Sequence, residues 1–140
     1  MTDCLFCRIL AGELPANFVC RDELACAFLD IRPVNPGHVL VIPIEHAASL
    51  AELDEERGGH LFKVGQRVAA ALRASDLRCE GVNFHLADGA AAGQEVFHVH
   101  LHVFPRFRGD GLGLRFGPHY REKSDREELD SIAARLRAGL

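Results

Sequence analysis

Three histidines alternate with apolar residues in one short segment of the chain, at His98, His100 and His102. Side chains two positions apart on a β-strand point to the same face, so a strand would place the three imidazoles together, roughly 7 Å apart. The apolar side chains of Phe97–Val103 would then point to the opposite face and enter the core. Repeated imidazoles on a solvent face offer no packing advantage, so this alternation indicates a chemical site.

Two kinds of chemistry fit such a face. Neutral imidazoles bind transition metals, and a His-x-His pair places two nitrogens within reach of one ion. Alternatively, one imidazole attacks phosphorus as a nucleophile while its neighbours hold protons and phosphate oxygens. The small-residue loop that ends at Gly93 and Gln94 could bring backbone N–H groups and an amide against phosphate oxygens. A plain metal site needs no such loop, so the pattern favours phosphoryl chemistry.

A second group of residues that could do chemistry begins near the N-terminus with Cys4 and Cys7. A Cys-x-x-Cys pair is half of a typical zinc site, but the same spacing also occurs in redox pairs and in pairs of buried thiols. The chain has five cysteines and no visible export signal, which favours thiols or metal ligands over a disulfide framework. We interpret Cys20, Cys26 and Cys79 as small apolar residues without a partner.

Composition limits the classes of protein to which this chain can belong. A length of 140 residues, with 48% hydrophobic and 26% charged residues, is typical of one globular domain, and we predict a single domain over 1–140. The formal net charge of -4 argues against electrostatic binding to nucleic acid, while a local phosphate site is compatible with it. No apolar run is long enough to cross a bilayer, so no membrane partner is expected. Without an export signal, the cytoplasm is the expected compartment.

The elements that must position these residues follow from periodicity and turn signals. Apolar residues recur at helical spacing over Leu53–Ala74, although Gly58, Gly59 and Gly65 each cost about 1 kcal/mol relative to Ala, so this helix starts late or packs closely there. The other predicted elements are a short helix capped by Asp3 and ending at Leu10, a hairpin within 17–30, strands over His38–Pro43, Val82–Ala87 and Glu95–Phe104, and a C-terminal helix that starts from a capping box at Ser124–Glu127. This order predicts an α+β domain with a mainly antiparallel sheet.

The triad segment resembles a known family. His98-Val-His-Leu-His-Val-Phe104 matches the signature of the histidine triad (HIT) family, and Gly93 and Gln94 precede it at the usual distance. Similar blocks extend over nearly the whole chain: Cys4–Ile9, Ala27–Ile31, Pro36–Pro43 followed by His46, Pro105–Arg106 and Gly109–Gly113. The resemblance implies an α+β, HIT-like fold, with a mainly antiparallel sheet of about five strands packed with helices.

The resemblance also implies an activity, that of a nucleotidyl hydrolase or transferase. It would act at the α-phosphate of purine nucleotide derivatives, namely phosphoramidates, adenylylated adducts or dinucleoside polyphosphates. His100 would form a nucleotidyl-histidine, His102 would contact the phosphate, Gln94 would bridge toward the phosphate or the leaving group, and His38 would support the triad. A neutral nucleophile suits this chemistry because it avoids repulsion of the anionic phosphate. Two alternatives stay open: a nucleotide-binding or scaffold protein with little catalysis, and a metallohydrolase with metal on all three triad histidines.

Binding and metal residues are implied by the same resemblance. Asp30 would hold the ribose hydroxyls and Gly93 would lie at the nucleotide. The residues that would wall the base are Leu5, Phe6, Ile9, Phe28 and Ile31. A structural zinc ion would be held by Cys4, Cys7, His46 and His98, four N/S ligands that close a tetrahedral site. No metal would be required for catalysis, and the chain would form a homodimer.

The chain departs from the pattern of the family at several positions. Ala87 stands where the family usually has an asparagine, and Glu95 stands where many members have Ser or Thr. Glu95 would place a carboxylate beside the leaving group, where it would repel an anion or, if protonated, serve as an acid. Ile44 and Glu45 precede His46 where Lys is common. We assign no function to His60, His85 and His119.

Overall fold

The computed structural model describes residues 3–140, which form two compact units, one ending at Asp110 and one comprising Gly111–Leu140. The elements of the first unit are helices α1 (Leu5–Leu10) and α2 (Glu55–Ala74) and strands β1 (Phe18–Arg21), β2 (Ala25–Leu29), β3 (Val39–Pro43), β4 (Gly81–His85) and β5 (Leu101–Arg106). The second unit contains α3 (Arg126–Arg137) and the stacked rings of Phe116 and Tyr120, whose centroids are 3.8 Å apart. None of the helices within residues 3–140 is both long enough and apolar enough to cross a membrane.

The five strands form one sheet in the order β1-β2-β3-β5-β4, and every neighbouring pair is antiparallel. The predicted fold class, an antiparallel sheet of about five strands with helices, is therefore confirmed. In the first hairpin, the Asp22 carboxylate accepts hydrogen bonds from the backbone N–H groups of Leu24 and Ala25, each at 2.8 Å. This side-chain turn reverses the chain between β1 and β2.

The continuous apolar run of β3 is explained by burial on both faces of the sheet. Val39 and Val41 pack with α2 in one cluster, whereas Leu40 and Ile42 pack with α1 in another. Neighbouring residues of a strand point to opposite faces, so a strand covered on both sides must be apolar at every position. Burial of each such side chain stabilises the fold by about 1.5–3 kcal/mol. The same packing places the N-terminus of α1 near the last residue of β3 and near the segment that precedes β5.

Two predicted helix caps are wrong by one residue. Cys4, and not Asp3, is the N-cap of α1, because its Sγ accepts a hydrogen bond from the Cys7 backbone N–H at 3.5 Å. Asp125, and not Ser124, is the N-cap of α3, and its carboxylate accepts from the Glu128 backbone N–H at 2.8 Å. A carboxylate at the N-cap also interacts favourably with the positive end of the helix dipole.

The prediction of a strand that starts at Glu95 is also wrong, because β5 starts at Leu101. The ladder between β3 and β5 stops at Val41 and Leu101, and two positions further along β3 Pro43 has no backbone N–H with which to continue it. There the Val99 backbone N–H donates to the Ala47 carbonyl at 2.8 Å. Phe97 is 50% exposed and does not enter the core, contrary to the prediction for the apolar side chains of this segment.

A buried polar network holds the loop between β2 and β3 against the end of β5. The Asn35 side-chain amide donates to the Pro105 carbonyl and to the Asp110 carboxylate, each at 2.9 Å. The Arg106 guanidinium donates to both oxygens of Asp110, at 2.6 and 3.0 Å. Such bidentate pairs fix geometry as well as adding energy. The loop that follows Asp30 and leads to His38 is therefore held in one position relative to β5.

Close packing of α2 on the sheet requires glycine at position 65. A Cβ at this position would lie 2.9 Å from Phe84 Cε2 and 3.1 Å from Leu101 Cδ2. A Cβ at Gly59 would meet no atom within 4 Å. The helix begins at Glu55, ahead of all three of its glycines, so close packing and not a late start explains Gly65.

We predict opposite effects for alanine at these two glycines. Gly65→Ala lowers the free energy of unfolding by about 1–3 kcal/mol because the added methyl group overpacks the interface with the sheet. Gly59→Ala raises it by up to about 1 kcal/mol because alanine favours the helix and the site is open. Urea denaturation of the two variants and the parent protein measures both effects. A stabilised Gly65→Ala protein would contradict the close approach of α2.

Candidate functional site

Four imidazoles lie close together on one face of the sheet. His102 is at the centre, with ring centroids 4.9 Å from His100, 5.1 Å from His38 and 5.6 Å from His85. They come from three segments of the chain. His102 is on β5 and His100 immediately precedes that strand, His38 immediately precedes β3, and His85 ends β4. The sheet thus brings together three of the predicted histidines and one that the sequence analysis left without a function.

Hydrogen-bond partners determine the tautomers of His38 and His102. The Val34 backbone N–H donates to His38 Nδ1 at 3.0 Å, so a neutral His38 carries its proton on Nε2. That N–H donates to His102 Nδ1 at 2.9 Å. His102 therefore accepts at Nδ1 and carries its own proton on Nε2. The chain of donors starts at a backbone amide and ends at an imidazole N–H.

Burial keeps both of these imidazoles neutral. Removal from water, reinforced by the charges of His100, His38 and His85, lowers the pKa of His102 to about 4. Burial also lowers the pKa of His38, and nearby Asp30 opposes this effect. Desolvation penalises the charged form of an imidazole, so its pKa falls. The tautomer assignment for neutral rings therefore holds near neutral pH.

His100 is held with one nitrogen free to react. Its Nδ1 lies 2.7 Å from the His98 carbonyl oxygen, which can only accept, so Nδ1 carries the proton and Nε2 carries the lone pair. The ring is buried, and the ring of Phe6 meets it edge-on with centroids 5.2 Å apart. A buried imidazole with an anchored Nδ1–H and an unprotonated Nε2 has the features of a nucleophile.

The predicted ribose residue, Asp30, sits beside His38 at the end of β2. Its Oδ1 accepts from the Arg32 backbone N–H at 2.8 Å, which forms an Asx turn, and its Oδ2 lies 3.7 Å from His38 Nε2. The side chain of Asp30 is 20% exposed. One carboxylate oxygen therefore shapes the loop, while the other faces the cluster of imidazoles.

Only some of the predicted base-wall residues come together. Phe6 and Phe28 pack edge-to-face with ring centroids 5.5 Å apart, and Ile9 is buried in the same cluster. Leu5 is 45% exposed and Ile31 is 86% exposed, so neither belongs to that cluster. The ring of Phe18, a residue outside the predicted set, lies 6.3 Å from that of Phe28, centroid to centroid. The hairpin register, Phe18 opposite Phe28, is the signal that could have identified it.

Gln94 is buried, and its amide is engaged within the protein. Its Oε1 accepts from the Gly89 backbone N–H at 2.8 Å, and its Nε2 donates to the carbonyls of Ala48 at 2.8 Å and Val96 at 3.1 Å. These contacts close the loop that precedes the triad. Gly93 in the same loop is exposed and adopts a φ of 93°, which favours glycine.

The Cys/His cluster, formed by Cys4, Cys7, His46 and His98, has the geometry of a tetrahedral metal site. The Nδ1 atom of His98 lies 3.4 Å from Cys4 Sγ, 3.6 Å from Cys7 Sγ and 3.2 Å from His46 Nδ1. Zinc–sulfur and zinc–nitrogen bonds of ordinary length require about 3.3–3.8 Å between ligands of a tetrahedron. His98 Nε2 donates to the Pro43 carbonyl at 2.9 Å, so its Nδ1 presents a lone pair to the cluster. The donor set therefore fits zinc.

A second group, Asp30, His38 and His102, also has ligand atoms within 4.8 Å of one another. Its central nitrogen, His38 Nε2, carries a proton because Val34 donates to the other ring nitrogen. A protonated nitrogen cannot bind a metal. This group fits a hydrogen-bond chain and not a metal site.

Ala87 and Glu95, the two residues near the triad that differ from the family pattern, lie in different surroundings. Ala87 is buried, and no polar group occupies its position. Glu95 is exposed and lines an open cleft beside the Cys/His cluster together with Leu5 and Phe97. Glu95 therefore lies beside the Cys/His cluster.

Comparison with known proteins gives the chain a family. The model of the HIT domain matches residues 11–109. The chain is 48% identical over 118 residues to an uncharacterized HIT-like protein of Borreliella burgdorferi, covering 84% of this chain and 85% of that protein. It is 38% identical over 112 residues to the adenosine 5'-monophosphoramidase of Schizosaccharomyces pombe, covering 79% and 80%.

Solved structures give the same result. A member of the HIT family from Bacillus subtilis has a TM-score of 0.89 at 36% identity, covering 99% of this chain and 98% of that one. A zinc-bound histidine triad family protein from Mycobacterium smegmatis has a TM-score of 0.77 at 42% identity, with the same coverage of 99% and 98%. Together with the triad geometry, these matches show that the chain belongs to the HIT family.

Proposed function

We propose that the protein is a nucleotidyl hydrolase or transferase that cleaves the α-phosphate linkage of purine nucleotide derivatives through a nucleotidyl-His100 intermediate. The observation that carries this proposal is the buried His100 ring, whose Nδ1 lies 2.7 Å from the His98 carbonyl oxygen, so that Nε2 carries the lone pair in the neutral tautomer. The phosphoramidase name of the Schizosaccharomyces pombe relative supports phosphoramidates as one substrate class.

In the first step, His100 Nε2 attacks the α-phosphorus. A phosphorus–nitrogen bond forms, the bond to the leaving group breaks, and the leaving group departs with the electron pair; an amine leaving group takes up a proton from solvent and departs as the neutral amine. The ring becomes positively charged, and the His98 carbonyl, 2.7 Å from Nδ1, stabilises that charge. In the second step, water or another acceptor attacks phosphorus, the phosphorus–nitrogen bond breaks, and Nε2 recovers its lone pair. The released proton of the acceptor passes to solvent.

In this proposal His102 acts as a neutral hydrogen-bond donor. Its Nδ1 is occupied by the His38 N–H, so its remaining N–H donates to a phosphate oxygen or to the leaving group. His38 is a positioning residue that acts through His102. Fixed donors stabilise developing charge without reorganising during the reaction. Gln94 acts by shaping the loop that contains Gly93, because its own amide is already hydrogen bonded.

The nucleoside would bind on the side of the sheet formed by β1, β2 and α1. Asp30 Oδ2 is the carboxylate oxygen available to the ribose hydroxyls, since Oδ1 accepts from Arg32. Phe6, Phe28 and Ile9 form the apolar surface for the base. Leu5 and Ile31 would contact the base from the solvent side, where both are exposed.

We further propose a structural role for zinc. Cys4, Cys7, His46 and His98 would hold the ion and thereby connect α1 to the segment that leads into β5. Zinc would supply fixed geometry, and catalysis would require no metal. The zinc-bound relative from Mycobacterium smegmatis supports this assignment. The homodimer, the cytoplasmic location and the single domain over 1–140 stay predictions.

One observation favours a nucleotide-binding protein with little catalysis as a second candidate. The amide hydrogens of Gln94 are engaged by Ala48 and Val96, which leaves fewer donors for the phosphate. A metallohydrolase with metal on all three triad histidines is disfavoured because His98 Nδ1 faces Cys4 and Cys7 while His100 Nδ1 is protonated.

The test of the nucleophile is a covalent adduct. On mixing with adenosine 5'-phosphoramidate, the wild-type protein gains the mass of one adenylyl group, and His100→Ala gains none. His119→Ala, a change in the second unit, retains both the adduct and turnover. Intact-protein mass spectrometry on rapidly quenched samples measures the adduct. An adduct that survives His100→Ala would refute the assigned nucleophile, and binding without adduct or turnover would favour the nucleotide-binding protein.

Zinc content tests the metal site. We expect about one zinc per purified chain, lost in Cys4→Ala, and retained in the matched control Cys79→Ala, whose thiol donates to the Gly81 carbonyl instead. Elemental analysis gives the stoichiometry, and thermal unfolding should show a lower melting temperature for Cys4→Ala only. A metal-free protein of unchanged stability would contradict the site.

Neutral His102 predicts a pH dependence of stability. The unfolded residue binds a proton below about pH 6.5, whereas the folded residue stays neutral down to about pH 4. The unfolded state thus holds more protons in this window, so the free energy of unfolding rises with pH. The contribution of His102, about 3 kcal/mol at most, is complete above about pH 6.5 and lost below about pH 4. Urea denaturation from pH 4.5 to 7.5 should give a shallower slope for His102→Asn than for the wild type. Equal slopes would contradict the assignment.

A further inference from the structure

A single row of directly opposed residues crosses all five strands of the sheet. It runs from Phe18 on β1 through Phe28 on β2, Leu40 on β3 and His102 on β5 to His85 on β4. Opposed residues of antiparallel strands place their side chains on the same face. The row therefore presents aromatic rings at one end of this face and imidazoles at the other.

The row gives the direction in which a nucleotide lies on the face. Under the proposed function, the base contacts the aromatic end, the ribose is held at Asp30 beyond β2, and the α-phosphate is held by His100 and His102. Neighbouring strands are about 4.8 Å apart, so each step along the row moves about one phosphate or sugar unit away from the base. The group attached to the far side of the α-phosphate then lies over β4, where His85 is.

His85 is suited to contact that group. Its ring is exposed and lies 5.6 Å from the His102 ring, centroid to centroid. Within residues 3–140, no side-chain or backbone group forms a hydrogen bond with the His85 imidazole. Both ring nitrogens are therefore available to a ligand, unlike those of His38, which are hydrogen bonded to Val34 and His102.

We propose that His85 binds the leaving group and that it favours leaving groups that carry an anionic oxygen next to the scissile bond, such as a second phosphate. This inference rests on the proposed function and extends it to the choice of leaving group. An imidazole N–H donates to a phosphate oxygen and neutralises part of its charge when protonated. Ammonia or a simple amine offers no such oxygen and gains nothing from His85.

The test compares two substrates that share the adenylyl group and differ in leaving group. Adenosine 5'-phosphoramidate releases ammonia, and diadenosine triphosphate releases a nucleoside diphosphate. We expect His85→Ala to lower kcat/KM about tenfold for diadenosine triphosphate, and by less than about twofold for the phosphoramidate, because only one substrate loses a charge-assisted hydrogen bond. His85→Gln, which keeps an N–H donor, recovers most of the loss, and His119→Ala leaves both substrates unchanged.

Equal losses on both substrates, or no loss on either, would overturn the role of His85. A second measurement separates this failure from failure of the proposed chemistry. In a His100→Ala background, which cannot form the adduct, ADP should bind about tenfold more tightly than AMP, and His85→Ala should remove that difference. An intact ADP preference without His85 would refute the inference even if the His100 adduct is found. Loss of the preference would support His85 even if no adduct forms.

Discussion

The hydrogen bond from His98 Nε2 to the Pro43 carbonyl is the interaction on which both sites depend. His98 is completely buried, and Pro43 is the last residue of β3, two positions beyond Val41, where the ladder to β5 stops. By taking the proton at Nε2, this bond turns the Nδ1 lone pair toward the Cys/His cluster. It also holds the backbone of residue 98, whose carbonyl accepts from His100 Nδ1. One side chain therefore couples the proposed metal site to the orientation of the proposed nucleophile.

Because the buried histidines are neutral and hydrogen bonded, burying them costs little free energy. Burying an imidazolium is costly, and burying an unpaired polar atom is costly as well. Within residues 3–140, no fully buried side-chain nitrogen or oxygen lacks a hydrogen-bond partner. The Val34 amide gives His38 a defined tautomer, and His38 gives one to His102. The proposed phosphate site thus consists of prearranged neutral donors and one lone pair.

The sheet decides how these groups are arranged relative to one another. β5 lies between β3 and β4, so His102 has His38 on one side and His85 on the other. The hydrogen bonds among Asn35, Arg106 and Asp110 hold the loop before β3 against the end of β5. The four neighbouring histidines come from three separate segments of the chain, so this network replaces the local connection that a single loop would provide.

The sequence by itself determined the fold class and the approximate elements, and it predicted most members of the two proposed sites, because periodicity, turn chemistry and the triad signature are local properties. It did not determine where β5 begins: residues 95–100 have the pattern of a strand, but Pro43 ends the partner that would pair with them. It also could not assign the tautomers, since the Pro43 carbonyl that accepts from His98 and the His102 imidazole that accepts from His38 are distant along the chain. The alternation of histidines along residues 98–102 could not identify His85 as a neighbour of the triad, because His85 lies on β4. Only the register that joins β4 to β5 places it beside His102, because cross-strand neighbours are decided by pairing and not by spacing along the chain.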